Sequence, residues 1–186
     1  MVYSLNELID RCRKGEKFEY TFFWGNAPSK DGEITKSCLS QWWMQSFEVD
    51  GVRYSCAEQY MMAQKAALFR DSHTWQRIMR ASTPKEMKVL GRQVCNFDDL
   101  KWGQEARDIV RRGNIAKFGQ NPKLLEFLAS TKLSIIVEAS PYDRVWGIGM
   151  DERCPEAKQP AKWKGENKLG FVLTEVRGIL TSEKEG

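Results

Sequence analysis

The sequence predicts an α+β fold, a predominantly α-helical single domain with a small β element near the N-terminus. Helix-forming and apolar residues recur at helical spacing over most of the chain after residue 55. Before that point, two short stretches show the alternation and the turn residues of β-strands. The chain has 186 residues, of which 41% are hydrophobic and 29% charged. This is enough apolar material for one stable core, so we expect one domain over residues 1–186.

The N-terminal part of the chain contains the predicted β element. The expected order is a helix over 4–14, a strand over 18–24, a loop over 25–32 and a hairpin over 45–54. Ser4 is a good N-cap for the helix, and Leu5 and Leu8 share one face of it. The hairpin turns at Asp50-Gly51, since Asp-Gly supplies the positive φ values that a two-residue turn requires.

The remainder of the chain is predicted to be mainly helical. We expect helices over 56–69, 73–81, 84–91, 98–118, 122–130 and 166–181, a buried strand over 134–139 and an irregular stretch over 140–165. Ser55 is the expected N-cap of the first of these helices, with Glu58 three residues later in the capping-box position. An irregular segment as long as 140–165 is usually functional or disordered.

Composition excludes several classes of protein. No apolar run approaches the roughly 18 residues of a membrane helix, and the first residues lack the apolar core of a signal peptide. We therefore expect a cytoplasmic protein without membrane association. The formal net charge of +4 neither requires nor excludes a nucleic-acid partner.

Cysteine and histidine usage argues against metal and imidazole chemistry. The five cysteines are scattered without a C-x-x-C pair, so neither a zinc site nor a disulfide framework is expected. The single histidine, His73, follows a helix-capping pattern and is expected to be exposed in a first helical turn. We expect no metal and no cofactor. If the protein is an enzyme, carboxylates must do the acid–base work.

Glu58 is the first candidate for that role. Glu58, Met62 and Lys65 lie at positions i, i+4 and i+7 and so share one helix face. One interpretation is that Glu58 caps its helix by reaching back to the Ser55 N–H. The other is a carboxylate at the mouth of a pocket, flanked by a lysine suited to phosphate.

The irregular stretch contains a second candidate group, W-G-I-G at 146–149. Gly147 and Gly149 would let the backbone approach a ligand closely, and Trp146 would stack on a flat base. A tight loop around a core tryptophan would produce the same pattern. Glu138 and Asp143 lie at the end of a strand and in its loop, a common place for catalytic carboxylates.

Two further polar residues stand out in helical surroundings. Arg92 comes just after the helix-ending Gly91, where it can bind phosphate or cap the last carbonyls of the helix. Asn114 is a polar residue among apolar positions of the long helix.

Several separated motifs occur in a specific order. They are S-C-A-E-Q-Y-M-M-A-Q-K (55–65), G-R-Q-V (91–94), Lys101-Trp102, N-I-A-K-F (114–118), D-R-V-W-G-I-G (143–149), G-E-N-K-L-G (165–170) and L-T-E-V-R (173–177). In these segments the chain resembles the YbiA-like, or NADAR, domain family, over a core of about residues 18–181. Two positions depart from patterns common in that family: Ile148 between the last glycines, and Gln41 where an asparagine is frequent.

The resemblance implies an N-glycosidase, a hydrolase of the bond between a ribose and a base. The resemblance implies a substrate that is either a phosphoribosylamino-pyrimidine intermediate of riboflavin synthesis or ADP-ribosylated guanine in nucleic acid. The resemblance implies Glu58 as the main catalytic carboxylate, acting as nucleophile or through water. It implies Asp143 as the second candidate, for contact with a ribose hydroxyl or for acid–base assistance. The implied substrate-binding residues are Trp24, Trp102 and Trp146 for stacking, Lys65 and Arg92 for phosphate, and Asn114, Gly147 and Gly149. A non-catalytic module that binds ADP-ribose or NAD is the alternative.

Overall fold

The structure is a computed structural model that describes residues 1–182, so the last four residues of the predicted domain lie outside the described ones. Its helices are α1 (Leu5–Arg13), α2 (Ala57–Leu68), α3 (Ser72–Arg80), α4 (Pro84–Gly91), α5 (Asp99–Gly119), α6 (Pro122–Ser130) and α7 (Lys168–Ser182). Its strands are β1 (Tyr20–Phe23), β2 (Met44–Val49), β3 (Val52–Cys56) and β4 (Ile135–Glu138). The fold class is confirmed as α+β and rich in helix.

Local capping signals explain most of these boundaries. Ser4 caps α1, Thr83 caps α4 and Asp98 caps α5, each through its side-chain oxygen. The predicted hairpin is confirmed, since Asp50 and Gly51 both have positive φ between β2 and β3. Residues 140–165 are irregular, as predicted, apart from two short 3₁₀ helices.

Backbone contacts group the chain into two compact units. Unit 1 comprises residues 1–40 together with the chain from 122 onward, and unit 2 comprises residues 41–121. The expectation of a single domain over 1–186 stays a prediction.

Unit 1 is organised by a strand pair that the sequence did not predict. β1 pairs in parallel with β4, with Tyr20 opposite Ile135 and Phe23 opposite Glu138. α7 packs against β4. The buried core around this pair consists of Val2, Leu8, Ile135, Val137, Ala139, Ile148, Met150, Ala157, Trp163 and Phe171. The irregular segment 140–165 thus contributes core residues as well as loop.

A buried asparagine ties the start of α7 to β4. Asn167 is fully buried, with a positive φ of 54°. Its side chain donates to the Ile136 carbonyl at 2.9 Å and accepts from the Glu138 N–H at 3.0 Å. These bonds satisfy backbone groups of β4 that have no strand on that side, so Asn167 positions α7 against the strand.

Unit 2 is built around α2, which packs against α3, α4 and α5. The β2–β3 hairpin packs against α5 and α2. Tyr60 of α2 is buried, and its ring lies 5.0 Å from that of Tyr54 and 6.1 Å from that of Phe47. The aromatic cluster fixes the hairpin to the same helix that carries Glu58.

The close approach of α2 to α5 depends on Gly113. A Cβ at this position would lie 2.5 Å from Cδ1 of Tyr60. We expect Gly113→Ala to lower the free energy of unfolding by about 1–2 kcal/mol, because overpacking outweighs the gain in helix propensity. Gly103→Ala in the same helix is the matched control, since nothing lies within 4 Å of its Cβ. The control should gain up to about 1 kcal/mol. Urea unfolding checks both, and the same sign for the two variants would contradict this packing.

Candidate active site

The first turn of α2 is arranged differently from the prediction. The helix begins at Ala57, with Cys56 as N-cap, whose Sγ accepts from the Gln59 N–H at 3.4 Å. Gln59 therefore occupies the reciprocal capping position, and its Oε1 accepts from the Ser55 N–H at 2.7 Å and the Ser55 hydroxyl at 3.0 Å. The prediction that Ser55 and Glu58 form the capping pair is wrong by one residue. The pair is Cys56 and Gln59, because the cysteine sulfur caps the helix.

This register changes the interpretation of Glu58. The Ser55 N–H, which the capping interpretation assigned to Glu58, is bonded by Gln59. Glu58 is nevertheless buried, with 5% of its surface exposed, in the helical turn where the peptide dipoles favour a carboxylate. Burial raises the pKa of the neighbouring Cys56 thiol, and the charge of Glu58 raises it further. A carboxyl group is thus buried in the interior of unit 2.

Gln41 connects Glu58 to Asn114. The Gln41 carbonyl accepts from the Glu58 N–H at 2.9 Å, and its side-chain Oε1 accepts from Asn114 Nδ2 at 2.9 Å. The same Nδ2 donates to the Val110 carbonyl at 2.8 Å, which fixes the orientation of the amide. Asn114 Oδ1 is then a buried acceptor with no hydrogen-bond partner among the described residues. Gln41, noted in the sequence as a departure, is therefore a central residue of this cluster.

Lys65 lies two turns along α2 from Glu58, beside two aromatic rings. Its Nζ is 4.0 Å from the ring centroid of Phe97 and 5.6 Å from that of Trp102. Burial lowers the pKa of Lys65, and the charge of Arg92 lowers it further, while Asp99 opposes the shift. The structure therefore places Lys65 beside Trp102, and Arg92 is near enough for its charge to act on Lys65.

Arg92 itself is exposed and caps α4 through its backbone N–H. Its side chain lies on the surface. Two cations and two aromatic faces are what a phosphate attached to a flat ring would contact.

Two residues of unit 2 were missed by the sequence analysis. Phe97 supplies the ring nearest to Lys65, and nothing in its local sequence signals that contact. Lys117 is fully buried on α5, three residues after Asn114 and so on the same face. A lysine on the apolar stripe of a helix was the available signal for Lys117, because buried charges are rare without a partner.

In unit 1, Asp143 folds the loop that carries Trp146. Its Oδ1 accepts from the N–H groups of Val145 at 3.0 Å and Trp146 at 2.8 Å, and its carbonyl accepts from Gly149 at 3.0 Å. Asp143 is half-buried. The contacts of Oδ1 give Asp143 a structural task, and its catalytic role stays a prediction.

The two loop glycines are explained by packing within unit 1. A Cβ on Gly147 would lie 2.8 Å from the Glu138 carbonyl oxygen. Gly149 has a φ of +67°, which a side chain would strain. The conformation of the loop therefore requires both glycines. Their contact with a ligand stays a prediction.

Trp24 forms an exposed aromatic pair in unit 1. Half of its surface is accessible, and its ring lies 6.0 Å from that of Tyr142, which is also exposed. Trp146 is half-buried in the loop. Tyr142 was not predicted, because its contact with Trp24 joins residues far apart in sequence.

The ten predicted site residues are divided between the units. Unit 2 contains Glu58, Lys65, Arg92, Trp102 and Asn114. Unit 1 contains Trp24, Asp143, Trp146, Gly147 and Gly149.

The histidine and the cysteines lie outside the candidate site residues. His73 is exposed in the first turn of α3, after the N-cap Asp71. The five cysteines are free thiols. Within residues 1–182, no group of three or more His, Cys, Asp or Glu side chains could hold a metal ion. None of the helices in this range is both long and apolar enough to span a membrane.

Comparison with known proteins defines the class. The NADAR domain model matches residues 22–181. The chain is similar to N-glycosidase R617 of Acanthamoeba polyphaga mimivirus, with 41% identity over 167 residues that cover 87% of this chain and 96% of the viral protein. It is 31% identical to N-glycosidase YbiA of Escherichia coli (strain K12) over 137 residues, 74% of this chain and 77% of YbiA.

A solved structure agrees with these matches. The NMR structure of the E. coli protein YbiA superposes with a TM-score of 0.72 at 26% identity, covering 91% of this chain and 89% of that one. The protein is thus an enzyme of the N-glycosidase class, a hydrolase that acts on N-glycosyl bonds. It belongs to the NADAR domain family.

Proposed function

We propose that the enzyme cleaves the bond between a base and a ribose that carries phosphate or ADP-ribose, with Glu58 as its main catalytic carboxylate. One observation carries this proposal. Glu58 is buried at the start of α2, while Gln59 makes the capping bonds to Ser55. Buried ionisable side chains cluster at functional sites, and the N-terminal turn of a helix favours a carboxylate.

The chemistry requires a negative charge beside the anomeric carbon. Cleavage of the C1–N bond leaves an oxocarbenium-like sugar, and the bonding electrons depart with the base nitrogen. Glu58 stabilises the positive charge at C1. Overall, the oxygen of water bonds to C1, and a proton from that water ends on the departing nitrogen.

The amides around Glu58 support its position. Gln41 bonds to the first turn of α2 through its carbonyl and to Asn114 through its side chain. Such linked bonds restrict the backbone that carries the carboxylate, which matters because catalysis depends on charge placement. We assign Asn114 to substrate binding through this cluster.

Lys65 and Arg92 are proposed to hold the phosphate, with Trp102 against the ring. Lys65→Gln should raise KM about 10- to 100-fold with a smaller change in kcat, since a charge-assisted bond to phosphate is lost. Lys101→Gln is the matched control, because Lys101 is exposed and its Nζ lies 6.0 Å from the ring centroid of Phe69. Steady-state kinetics on both variants checks this. Equal KM values for Lys65→Gln and the wild type would remove Lys65 from the phosphate site.

The same site predicts a pH dependence. Burial and the charge of Arg92 lower the pKa of Lys65, so it loses its proton at a lower pH than an ordinary lysine. Phosphate binding requires the protonated form. KM should therefore rise as the pH increases through that lowered pKa, and this rise should be absent in Lys65→Gln. A rise of the same size in the variant would assign the titration to another group.

Asp143 is proposed as the second carboxylate of the reaction. Asp143→Asn retains an oxygen that can accept from Val145 and Trp146 and removes the charge. The catalytic role predicts lower turnover at an unchanged melting temperature. Unchanged turnover would leave Asp143 with its structural task alone.

The substrate can be identified by product detection. The purified enzyme is incubated with a phosphoribosylamino-pyrimidine, with an oligonucleotide carrying ADP-ribosylated guanine, and with NAD, and free base is measured by mass spectrometry. We expect release of base from one of the first two. Oligonucleotide turnover should fall with salt if nucleic acid is the substrate. Thermal stabilisation by all three without any product would contradict the proposed function.

A further inference from the structure

A cavity in unit 1 is formed by segments that contain none of the residues proposed for catalysis. It has a volume of about 610 Å³ and lies among the N-terminal residues, the segment after α1, the turn after α6 and the face of α7 that carries Thr174 and Arg177. This volume is in the range of small-molecule sites. The cavity includes Arg177, the last residue of the L-T-E-V-R motif, which the proposed function does not use.

Arg177 is a buried cation with no acidic partner among residues 1–182. Only 4% of its surface is exposed. Its guanidinium donates to Thr131 Oγ1 at 2.6 Å and to the Ser134 carbonyl at 3.0 Å, and both acceptors are neutral. Burial lowers the pKa of Arg177, and the interaction with Tyr3 opposes this shift.

The two hydrogen bonds use only some of the N–H donors of the Arg177 guanidinium. They tie α7 to the turn that follows α6, where the helix dipole favours a positive charge. A guanidinium has five N–H donors in a planar fork, so donors remain for a ligand. An oxyanion is the ligand that such a fork fits.

The other residues that line the cavity also suit an anion that has an apolar part. Four cationic side chains line it, Arg11, Lys17, Lys132 and Arg177, against two carboxylates, Glu16 and Glu19. Glu16 is already paired with Arg11, at 2.6 Å. The buried Val2 and Ile135 and the half-buried Phe18 supply apolar walls.

We propose that this cavity is a second binding site, for a small organic anion that presents a phosphate or carboxylate to Arg177 and an apolar or flat body to the walls. The site is independent of the reaction at Glu58. The charge and the size of the ligand determine its recognition. The Arg177 guanidinium is already positioned in the cavity before the ligand binds.

Binding is tested on the full chain by calorimetry with phenyl phosphate, benzoate, inorganic phosphate and, as a neutral counterpart, benzyl alcohol. We expect phenyl phosphate or benzoate to bind and benzyl alcohol not to bind. The preference between the first two identifies the anionic group. Binding of benzyl alcohol as tight as that of the anions would overturn the proposal. So would the absence of binding for both phenyl phosphate and benzoate.

Three variants locate the binding. Arg177→Gln should abolish it while turnover of the ribosylated substrate is retained. Lys17→Glu changes only the exposed rim and should weaken binding about three- to tenfold. Lys14→Glu makes the same charge change on an exposed residue outside the cavity lining and should have no effect. If Lys17→Glu binds the anion as tightly as Lys14→Glu, the anion does not bind in this cavity. This comparison tests the proposal even if Arg177→Gln fails to fold.

Discussion

Glu58→Gln is expected to reduce turnover of the ribosylated substrate by about 10²–10³-fold or more, since it removes the charge that stabilises the sugar cation. The fold should remain intact, because Gln is similar in shape and the bonds to Ser55 come from Gln59. The melting temperature should fall by no more than a few degrees. Product release measured by mass spectrometry, with thermal unfolding in parallel, checks both statements.

Glu86→Gln is the matched control for this substitution. Glu86 lies in the first turn of α4, where its carboxylate accepts from the Ser82 N–H at 3.2 Å and its own N–H donates to the N-cap Thr83. It therefore has the capping role that one interpretation of the sequence gave to Glu58. The control should keep full turnover. Wild-type turnover in Glu58→Gln would show that Glu58 is not catalytic.

The largest loss of stability is expected from Gly170→Ala. A Cβ at this position on α7 would overlap the Ile136 carbonyl oxygen and would lie 2.5 Å from Asn167 Nδ2. The obstacle is the backbone of β4, which cannot rotate away as a side chain can. The substitution would also disturb the bond from Asn167 to Ile136. We expect the free energy of unfolding to fall by about 2–3 kcal/mol, measured by urea unfolding.

Gly178→Ala on the same helix provides the comparison. Its Cβ would approach only the end of the flexible Met1 side chain. The gain in helix propensity, up to about 1 kcal/mol, should offset this contact. If both variants were equally stable, α7 would not pack against β4 as the structure shows.

Elements specified by neighbouring residues were predicted well from the sequence. The cap at Ser4 and the Asp50-Gly51 turn act over three or four residues, so their signals are local. The parallel pairing of β1 with β4 was not predictable in this way. It joins Tyr20 to Ile135, and no local pattern encodes that distance.

The candidate site shows the same division. The helix that carries Glu58 and Lys65 was predicted from propensity and periodicity. The bond between Gln41 and Asn114 spans 73 positions of the sequence, and the contact of Lys65 with Phe97 also joins separate elements. The capping register was missed because serine is a stronger N-cap than cysteine by local preference, while the structure uses the Cys56 sulfur.

The most direct test of the account compares Glu58→Gln with Gln59→Ala in turnover and melting temperature. Gln59 is buried and bonds to Ser55 and to the carbonyls of Ile78 and Met79, so its loss should cost about 1–3 kcal/mol of stability. We predict that Gln59→Ala melts at a lower temperature and still releases base, whereas Glu58→Gln melts close to the wild type and does not. The reverse pattern, with turnover kept in Glu58→Gln and its melting temperature lowered, would show that Glu58 only supports the helix.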